Sequence, residues 1–303
     1  MGVTGSAAPA RLGLGLGSMP PSLLVLGGIV SVQAGAGIAK GMFDRVPPTV
    51  VVVMRLLVAA LVVGFLARRA LRRVRRDHGV RDLGAAAGLG LSLALMNFSI
   101  YQSIQQIPLG VAVTIEFLGP LLVSVVASRR ALDLLWAFLA FGGVVLLARS
   151  DGDITLSGVL WALLAAVGWA SYILFAAATG KRIPGSTGLA LASAVATVVM
   201  LPMGLHALGE AGGPEILTPA VLAMGLGVGL LSSVVPYTLE LEALRRIPQR
   251  VFGILMSAEP AVAALIGVVL LGEFLAPAQW AAVGAVIIAC AGATLTARDA
   301  AGT

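Results

Sequence analysis

The sequence has few charged residues and few of the residue types that carry out catalysis. Only 11% of its 303 residues are charged, and it contains two histidines and a single cysteine, Cys290. One cysteine cannot form an intrachain disulfide, and the chain has no HExxH motif, no phosphate-binding loop and no cysteine–histidine motif. These absences argue against an enzyme, a metal site, a cofactor and ATP-driven activity.

The residues that are abundant are apolar. Hydrophobic residues make up 59% of the chain, and the mean hydropathy is +1.02, which a soluble domain could not cover with polar surface. A membrane helix needs about 20 mostly apolar residues to cross roughly 30 Å of hydrocarbon. Ten such runs lie near 22–41, 48–68, 83–104, 108–127, 131–149, 156–178, 187–208, 219–243, 247–271 and 276–297. The sequence therefore predicts an all-α integral membrane protein with ten transmembrane helices.

One segment of the chain occurs twice. IPLGVAVTIEFLGP, from Ile107 to Pro120, returns 140 positions later as IPQRVFGILMSAEP, from Ile247 to Pro260. This duplication predicts two five-helix repeats, at 22–150 and 151–298. Residues 1–21 and 299–303 are expected to be cytoplasmic tails, the first of them disordered.

The two copies of the segment differ in charge. Gln105, Gln106 and Gly110 in the first copy correspond to arginines in the second, at 245, 246 and 250. Lys and Arg accumulate in cytoplasmic loops, so the copies are expected to face opposite sides of the bilayer. Such inverted-topology repeats are typical of transporters.

The basic residues also predict the orientation of the chain. Sixteen of the twenty fall on one side of the ten runs: Arg11, Arg68, Arg69, Arg72, Arg73, Arg75, Arg76, Arg81, Arg129, Arg130, Lys181, Arg182, Arg245, Arg246, Arg250 and Arg298. We expect this side to be the cytoplasm, with both termini on it. The net charge of +6 then reflects orientation in the bilayer rather than nucleic-acid binding.

Charged residues within the apolar runs indicate a functional pathway, because a charge at mid-bilayer costs about 2.5–3.5 kcal/mol. They are Arg55, Glu116, Glu240, Glu242 and Glu259. Glu242 lies beside Arg245 and Arg246, which favours a surface ion-pair cluster. Glu259 lies mid-span, directly before Pro260, where it is either a proton carrier or a neutral carboxyl bonded to carbonyls that the proline frees.

Polar side chains of the first half predict a site for a zwitterion. Arg55 and Glu116 lie at similar depth, and Asn97, Tyr101, Gln33 and Lys40 add polar stripes on neighbouring helices. Arg55 or Lys40 would face a carboxylate and Glu116 an ammonium group. The alternative is a structural salt bridge between Arg55 and Glu116. Pro120 and Pro260 are expected to interrupt their helices, and broken helices often line transport sites.

The residues also resemble a known family. LLGEFLAPAQW at 270–280 resembles the end of an EamA repeat of the drug/metabolite transporter superfamily, and the runs at 31–40, 96–121, 128–136, 169–174 and 232–261 resemble the RhtA-type threonine/homoserine exporters. The resemblance implies a ten-helix inner-membrane exporter of small neutral amino acids that is coupled to proton entry. The working hypothesis is alternating access, in which proton binding on a carboxylate competes with the substrate ammonium. A transporter of another metabolite or a drug remains the alternative, followed by a membrane-embedded enzyme or scaffold.

The same resemblance implies a cavity between the first four helices of each half. Gln33, Asn97, Tyr101 and Glu116 would line one side, and Trp169, Tyr172, Tyr237 and Glu259 the other. Glu116 and Glu259 are the expected proton-coupling residues. The sequence predicts no oligomeric state.

Overall fold

The computed structural model describes residues 19–74, 79–127, 131–149, 154–183 and 186–296. Within these ranges the chain is helical and contains no strand. The predictions made for the tails, apart from residues 19–21, lie outside the described residues. The arginines at 75, 76, 129 and 130 also lie outside the described residues.

Long helices follow one another along the described chain at the positions of the predicted apolar runs. They are α1 (Pro21–Gly41), α2 (Pro48–Leu71), α3 (Val80–Gln106), α4 (Leu109–Glu116 and Leu118–Ala127), α5 (Ala131–Arg149), α6 (Leu156–Arg182), α7 (Thr187–Glu210), α8 (Pro219–Leu244), α9 (Gln249–Leu271) and α10 (Pro277–Thr296).

Length and composition make the described helices a membrane domain. Nine of them are long and apolar enough to cross a bilayer, and the described apolar stretch of α5, Leu134–Leu147, is shorter. Large apolar side chains such as Phe65, Phe138 and Val269 are exposed on the outside. Gln33, Asn97 and other polar side chains are instead buried at the centre. A protein that exposes apolar side chains on its outside and buries its polar side chains is suited to lipid as its solvent.

Proline positions the starts of several helices. Pro21 and Pro48 are the first residues of α1 and α2, and Pro219 is the first residue of α8. Proline suits this position because its fixed φ matches the helix and its missing N–H is not needed there. Pro108 and Pro248 directly precede α4 and α9 in the same way.

The breaks in α4 and α9 occur at the same place in the repeated segment. The first half of α4 is Leu109–Glu116 and the first half of α9 is Gln249–Met256, so both ends are displaced by 140 positions. Each break lies three residues before the proline expected to cause it. A proline clashes with the carbonyl four residues earlier, which displaces the break from Pro120 and Pro260 to residues 117 and 257.

Small residues allow the helices to approach closely where they surround the centre. A side chain at Gly168 of α6 would lie 2.8 Å from the backbone nitrogen of Met96 of α3, and one at Gly110 of α4 would lie 2.6 Å from Cα of Ala264 of α9. Both glycines therefore lie where two helix backbones are in contact. These contacts hold α3, α4, α6 and α9 around a common space.

Candidate functional site: a polar cavity among eight helices

A cavity of about 270 Å³ lies among α1–α4 and α6–α9. Nine of the ten site residues that the sequence predicts line it: Gln33, Arg55, Asn97, Tyr101, Glu116, Trp169, Tyr172, Tyr237 and Glu259. Its walls are otherwise mostly apolar, with side chains such as Leu56, Leu93 and Val113. A largely apolar cavity with a few converging polar groups is the usual form of a small-molecule site.

Glu259 lies at the start of the second half of α9, two residues beyond the break, and is buried. The Nε2 of Gln33 on α1 donates a hydrogen bond of 2.8 Å to its Oε1. The other carboxyl oxygen, Oε2, and the Oε1 of Gln33 are buried with no hydrogen-bond partner. The pair therefore presents two unused acceptors at the cavity wall.

Glu116 is the last residue of the first half of α4 and is also buried. The break at Phe117 follows it directly, and the Phe117 ring packs edge-on against Trp169 of α6, with ring centroids 4.8 Å apart. Trp169 and Tyr172 lie on one face of α6. The break and the aromatic contact therefore hold the Glu116 carboxyl at the cavity.

Arg55 on α2 is held by neutral groups rather than by a carboxylate. Its Nη2 donates to the carbonyl of Ser232 at 3.0 Å, and its Nε and Nη1 lie 3.5 Å from Ser233 Oγ and Tyr101 Oη. The guanidinium carbon also lies 5.7 Å from the centre of the Tyr101 ring. No carboxylate of the described residues lies within ion-pair distance, so the salt bridge considered with Glu116 is absent here.

A π-helical turn in α8 supplies the carbonyl that Arg55 uses. The turn covers Leu230–Val234, and Pro236 follows it. Proline has no N–H to donate, so the carbonyls four and five residues earlier are left free. Ser31 Oγ donates a hydrogen bond to the carbonyl of Leu231 at 2.7 Å, and Arg55 Nη2 donates one to the carbonyl of Ser232. π-Helical turns inside α-helices are frequent at functional sites.

Asn97 adds a further unused acceptor to the cavity. Its Nδ2 donates to the carbonyl of Leu93 in its own helix at 2.8 Å, which leaves Oδ1 buried and unpartnered. Buried polar atoms are normally hydrogen-bonded. Three such acceptors, on Gln33, Asn97 and Glu259, therefore indicate a ligand that donates several hydrogen bonds, as an ammonium group does.

Lys40, the tenth predicted site residue, does not line the cavity. Its Nζ lies 2.5 Å from Glu273 Oε1 and donates to the carbonyl of Ile107 at 2.8 Å. Glu273 Oε2 in turn accepts from the backbone N–H of Leu109 at 2.8 Å. This cluster of Lys40, Ile107, Leu109 and Glu273, named here the end cluster, ties together the C-terminal end of α1, the N-terminal end of α4 and the loop after α9.

The two glutamates near the end of α8 have different environments. Glu242 forms ion pairs with Arg245 and Arg246, as the sequence indicated. Glu240 instead lines the cavity with Ser232 and Ser233, and these three residues are not among the predicted site residues. The signal was present, since residues 233, 237 and 240 recur on one helical face.

A helical membrane protein with a cavity where polar groups converge at the breaks of two duplicated segments has the features of a secondary transporter. The comparisons with known proteins support this class. The model of the EamA-like transporter family matches residues 156–295. The threonine/homoserine exporter RhtA of Escherichia coli is 38% identical over 281 residues, which cover 92% of each chain.

Other relatives agree with this result. RhtA of Salmonella typhimurium is 38% identical over 284 residues and 92% of each chain, and the uncharacterized transporter YwfM of Bacillus subtilis is 30% identical over 51% of this chain and 52% of its own. A solved crystal structure that is 20% identical shares the fold, with a TM-score of 0.59 over 92% of this chain and 97% of that one. The chain belongs to the EamA-like transporter family, in the group that contains the RhtA exporters.

Proposed function

We propose that this protein exports small neutral amino acids such as threonine and homoserine across the bacterial inner membrane. Export is coupled to proton uptake and proceeds by alternating access. The observation that carries this proposal is the separation of charge around the cavity. Arg55 provides a cation with no carboxylate partner among the described residues, while the carboxyls of Glu116 and Glu259 line the same space.

The cavity suits both ends of a zwitterion. The Arg55 guanidinium, held in place by Ser232 and Tyr101, keeps donors for a carboxylate. The unused oxygens of Gln33 and Glu259 accept hydrogen bonds from an ammonium group. An α-amino acid carries its ammonium and carboxylate on one carbon atom. It can therefore pair with both sets of groups without leaving a buried charge unpaired.

The size of the cavity favours a small substrate. Its volume of about 270 Å³ lies at or below the lower end of the roughly 300–1,000 Å³ typical of sites for drug-sized ligands. The names of the RhtA relatives give threonine and homoserine as their substrates. Volume and family membership therefore both favour an amino acid over a larger drug.

The packing of the helices supports two inverted repeats, at 22–150 and 151–298, that give ten membrane crossings. If α1–α5 correspond to α6–α10, then the contact of α3 with α6 corresponds to that of α8 with α1. Under the same correspondence, three contacts are each related to themselves: α2 with α7, α4 with α9, and α5 with α10. All of these contacts are present. With the arginine-rich loops in the cytoplasm, the tails at 1–21 and 299–303 are also cytoplasmic.

Proton coupling is assigned to Glu116 and Glu259. Both carboxyls are buried at the cavity, where an ionised group is stable only with a partner. A substrate ammonium is one such partner and a proton is the other. Binding of one therefore competes with binding of the other, and exchange of one proton for one zwitterion moves one net charge.

Alternating access requires the two ends of the cavity to open in turn. The end cluster lies at one end, beside the cavity residues Leu109 and Ile104, whereas Glu240, Val63 and Leu189 line the other end. In the proposed orientation the end cluster faces outward. The described conformation is therefore closed on the outside, and the ion pair between Lys40 and Glu273 must break for release.

Removal of this ion pair is expected to favour the outward-open state. In a Glu273→Gln variant, the carbonyl oxygen can still accept from the N–H of Leu109 while the charge opposite Lys40 is lost. An Ala36→Cys probe in a Cys290→Ala background reports access to the cavity from outside, through labelling by a membrane-impermeant maleimide. The labelling rate is expected to rise about fivefold or more, which requires only about 1 kcal/mol of differential stability.

Glu242→Gln is the matched control for this measurement, because it removes ion pairs at the opposite end of the bundle. The labelling rate in this control should stay at the value of the parent protein. An equal rate in the Glu273→Gln variant and the parent would contradict an outer closure by this ion pair.

The proposed function is tested by the flux of labelled threonine and homoserine in proteoliposomes of the purified protein, with and without an imposed proton gradient. We expect saturable flux that the gradient accelerates. Absence of flux for both amino acids would contradict the proposed substrates and leave the family assignment intact. Gradient-accelerated flux of a labelled nucleoside or cationic dye, without flux of either amino acid, would assign the cavity to another metabolite or a drug.

A further inference from the structure

We propose that Glu240 forms a loading subsite, which binds the substrate ammonium at the cytoplasmic end of the cavity before it reaches Glu116 and Glu259. This inference rests on the proposed function and deepens it. It adds to the transport path a third carboxylate, which is not among the predicted site residues.

The environment of Glu240 leaves its carboxylate available to a ligand. It lines the cavity, and no cation of the described residues lies within ion-pair distance of it. Glu242, two positions further on, is neutralised by Arg245 and Arg246. Glu242 therefore belongs to a surface ion-pair cluster, whereas Glu240, on the same helix turn, faces the cavity.

The packing of α1 makes room for this carboxylate. A Cβ at Gly28 would lie 3.3 Å from both Cγ and Oε1 of Glu240. Such a distance is tighter than an ordinary van der Waals contact, so a larger side chain at position 28 would displace the glutamate. Gly28 therefore allows α1 and α8 to lie close together with the Glu240 side chain between them.

Glu240 also lies in line with the groups of the central site. Ser233, which is near Arg55, is seven residues earlier on α8, and Tyr237 lies between the two on the same face. Seven residues correspond to about 10.5 Å along a helix. Glu240, Glu116 and Glu259 all line the same cavity. An ammonium group bound at Glu240 is therefore already inside the space that the central carboxyls line.

The subsite predicts an effect on one side of the membrane. In inside-out vesicles the cytoplasmic face is accessible, and initial rates of labelled threonine exchange give the half-saturating concentration on that face. A Glu240→Gln variant should raise this concentration about tenfold, which corresponds to about 1.4 kcal/mol. The maximal exchange rate and the half-saturating concentration in right-side-out vesicles should remain those of the wild type.

Two further variants complete the experiment. Glu242→Gln is the matched control and should change neither concentration. Glu240→Asp keeps the charge on a shorter side chain and should give an intermediate value, which separates a charge effect from poor folding if the amide variant is unstable in detergent.

Several results would overturn the subsite. They are an unchanged half-saturating concentration in a protein that transports threonine, an equal rise on both faces, and loss of gradient dependence with no change in concentration. Absence of threonine flux in the wild-type protein would instead overturn the proposed function, and the subsite with it.

Discussion

Glu259→Gln is expected to abolish proton-driven transport while exchange of substrate for substrate continues. The replacing amide has the shape of a protonated carboxyl, and its oxygen can still accept the hydrogen bond that Gln33 Nε2 donates at 2.8 Å. It cannot release a proton. The variant is therefore neutral at this position in every state. The substrate ammonium can still bind to the Glu116 carboxyl and to the free oxygens of Gln33 and Asn97, so exchange continues without coupling to the gradient.

The size of the effect follows from the charge that is moved. One net charge per cycle is worth about 2.3 kcal/mol per 100 mV of membrane potential, which corresponds to about a 50-fold concentration ratio. Wild-type proteoliposomes under 100 mV should therefore build a gradient of labelled threonine towards this ratio. The Glu259→Gln vesicles should only equilibrate, and counterflow of threonine should proceed in both.

Glu242→Gln serves as the control, since it removes the same charge outside the cavity, and it should build the wild-type gradient. A gradient of wild-type size in the Glu259→Gln vesicles would remove Glu259 from the coupling mechanism and leave Glu116 as the candidate. Loss of counterflow together with the gradient would mean that Glu259 is needed for binding rather than for coupling.

The positions of the helices were predictable because the bilayer sets the length of a crossing. The predicted run 131–149 coincides with α5, and the runs 48–68 and 156–178 fall short of α2 and α6 by a few residues at one end. The extra residues at the ends of these helices include basic ones, Arg69 in α2 and Lys181 and Arg182 in α6. They continue the helix beyond the apolar run that the prediction follows.

The breaks were predictable in kind but not in position. Pro120 and Pro260 indicated interrupted helices, yet the interruptions lie three residues earlier, since a proline disturbs the turn before it. Pro236 has a comparable effect in α8, where it leaves carbonyls without donors. The sequence contains the proline, but only the fold places Ser31 and Arg55 where they can donate to those carbonyls.

Lys40 illustrates what helical spacing leaves out. Gln33 and Lys40 do share a stripe on α1, but seven residues correspond to about 10.5 Å, so Lys40 lies near the end of the helix while Gln33 lies at the cavity. Its partner Glu273 comes from a loop 233 positions further along the chain. A polar stripe on one helix shows which side chains share a face. It does not show which residue from another part of the chain each of them contacts, because tertiary packing decides this.

The largest loss of substrate affinity is expected on replacement of Arg55. Its guanidinium is the cation that remains for a substrate carboxylate, and a hydrogen bond between charged partners contributes about 1.5–3 kcal/mol. An Arg55→Met variant should therefore raise the half-saturating threonine concentration about 10- to 100-fold. Arg55→Lys should give a smaller rise, because a lysine keeps the charge but not the planar fork.

A substrate analogue makes this prediction specific to the carboxylate. Threoninol, which has a hydroxymethyl group in place of the carboxylate, should compete poorly with threonine in the wild-type protein, and in the Arg55→Met variant the two should compete about equally. Retained discrimination would mean that another group binds the carboxylate. A structural role predicts a different result, in which the Arg55 variants lose thermal stability and a second change at Glu116 restores it. The 3.0 Å bond to the Ser232 carbonyl and the absence of an ion pair to the described carboxylates favour the binding role, because a cation held by neutral groups keeps its charge for the substrate.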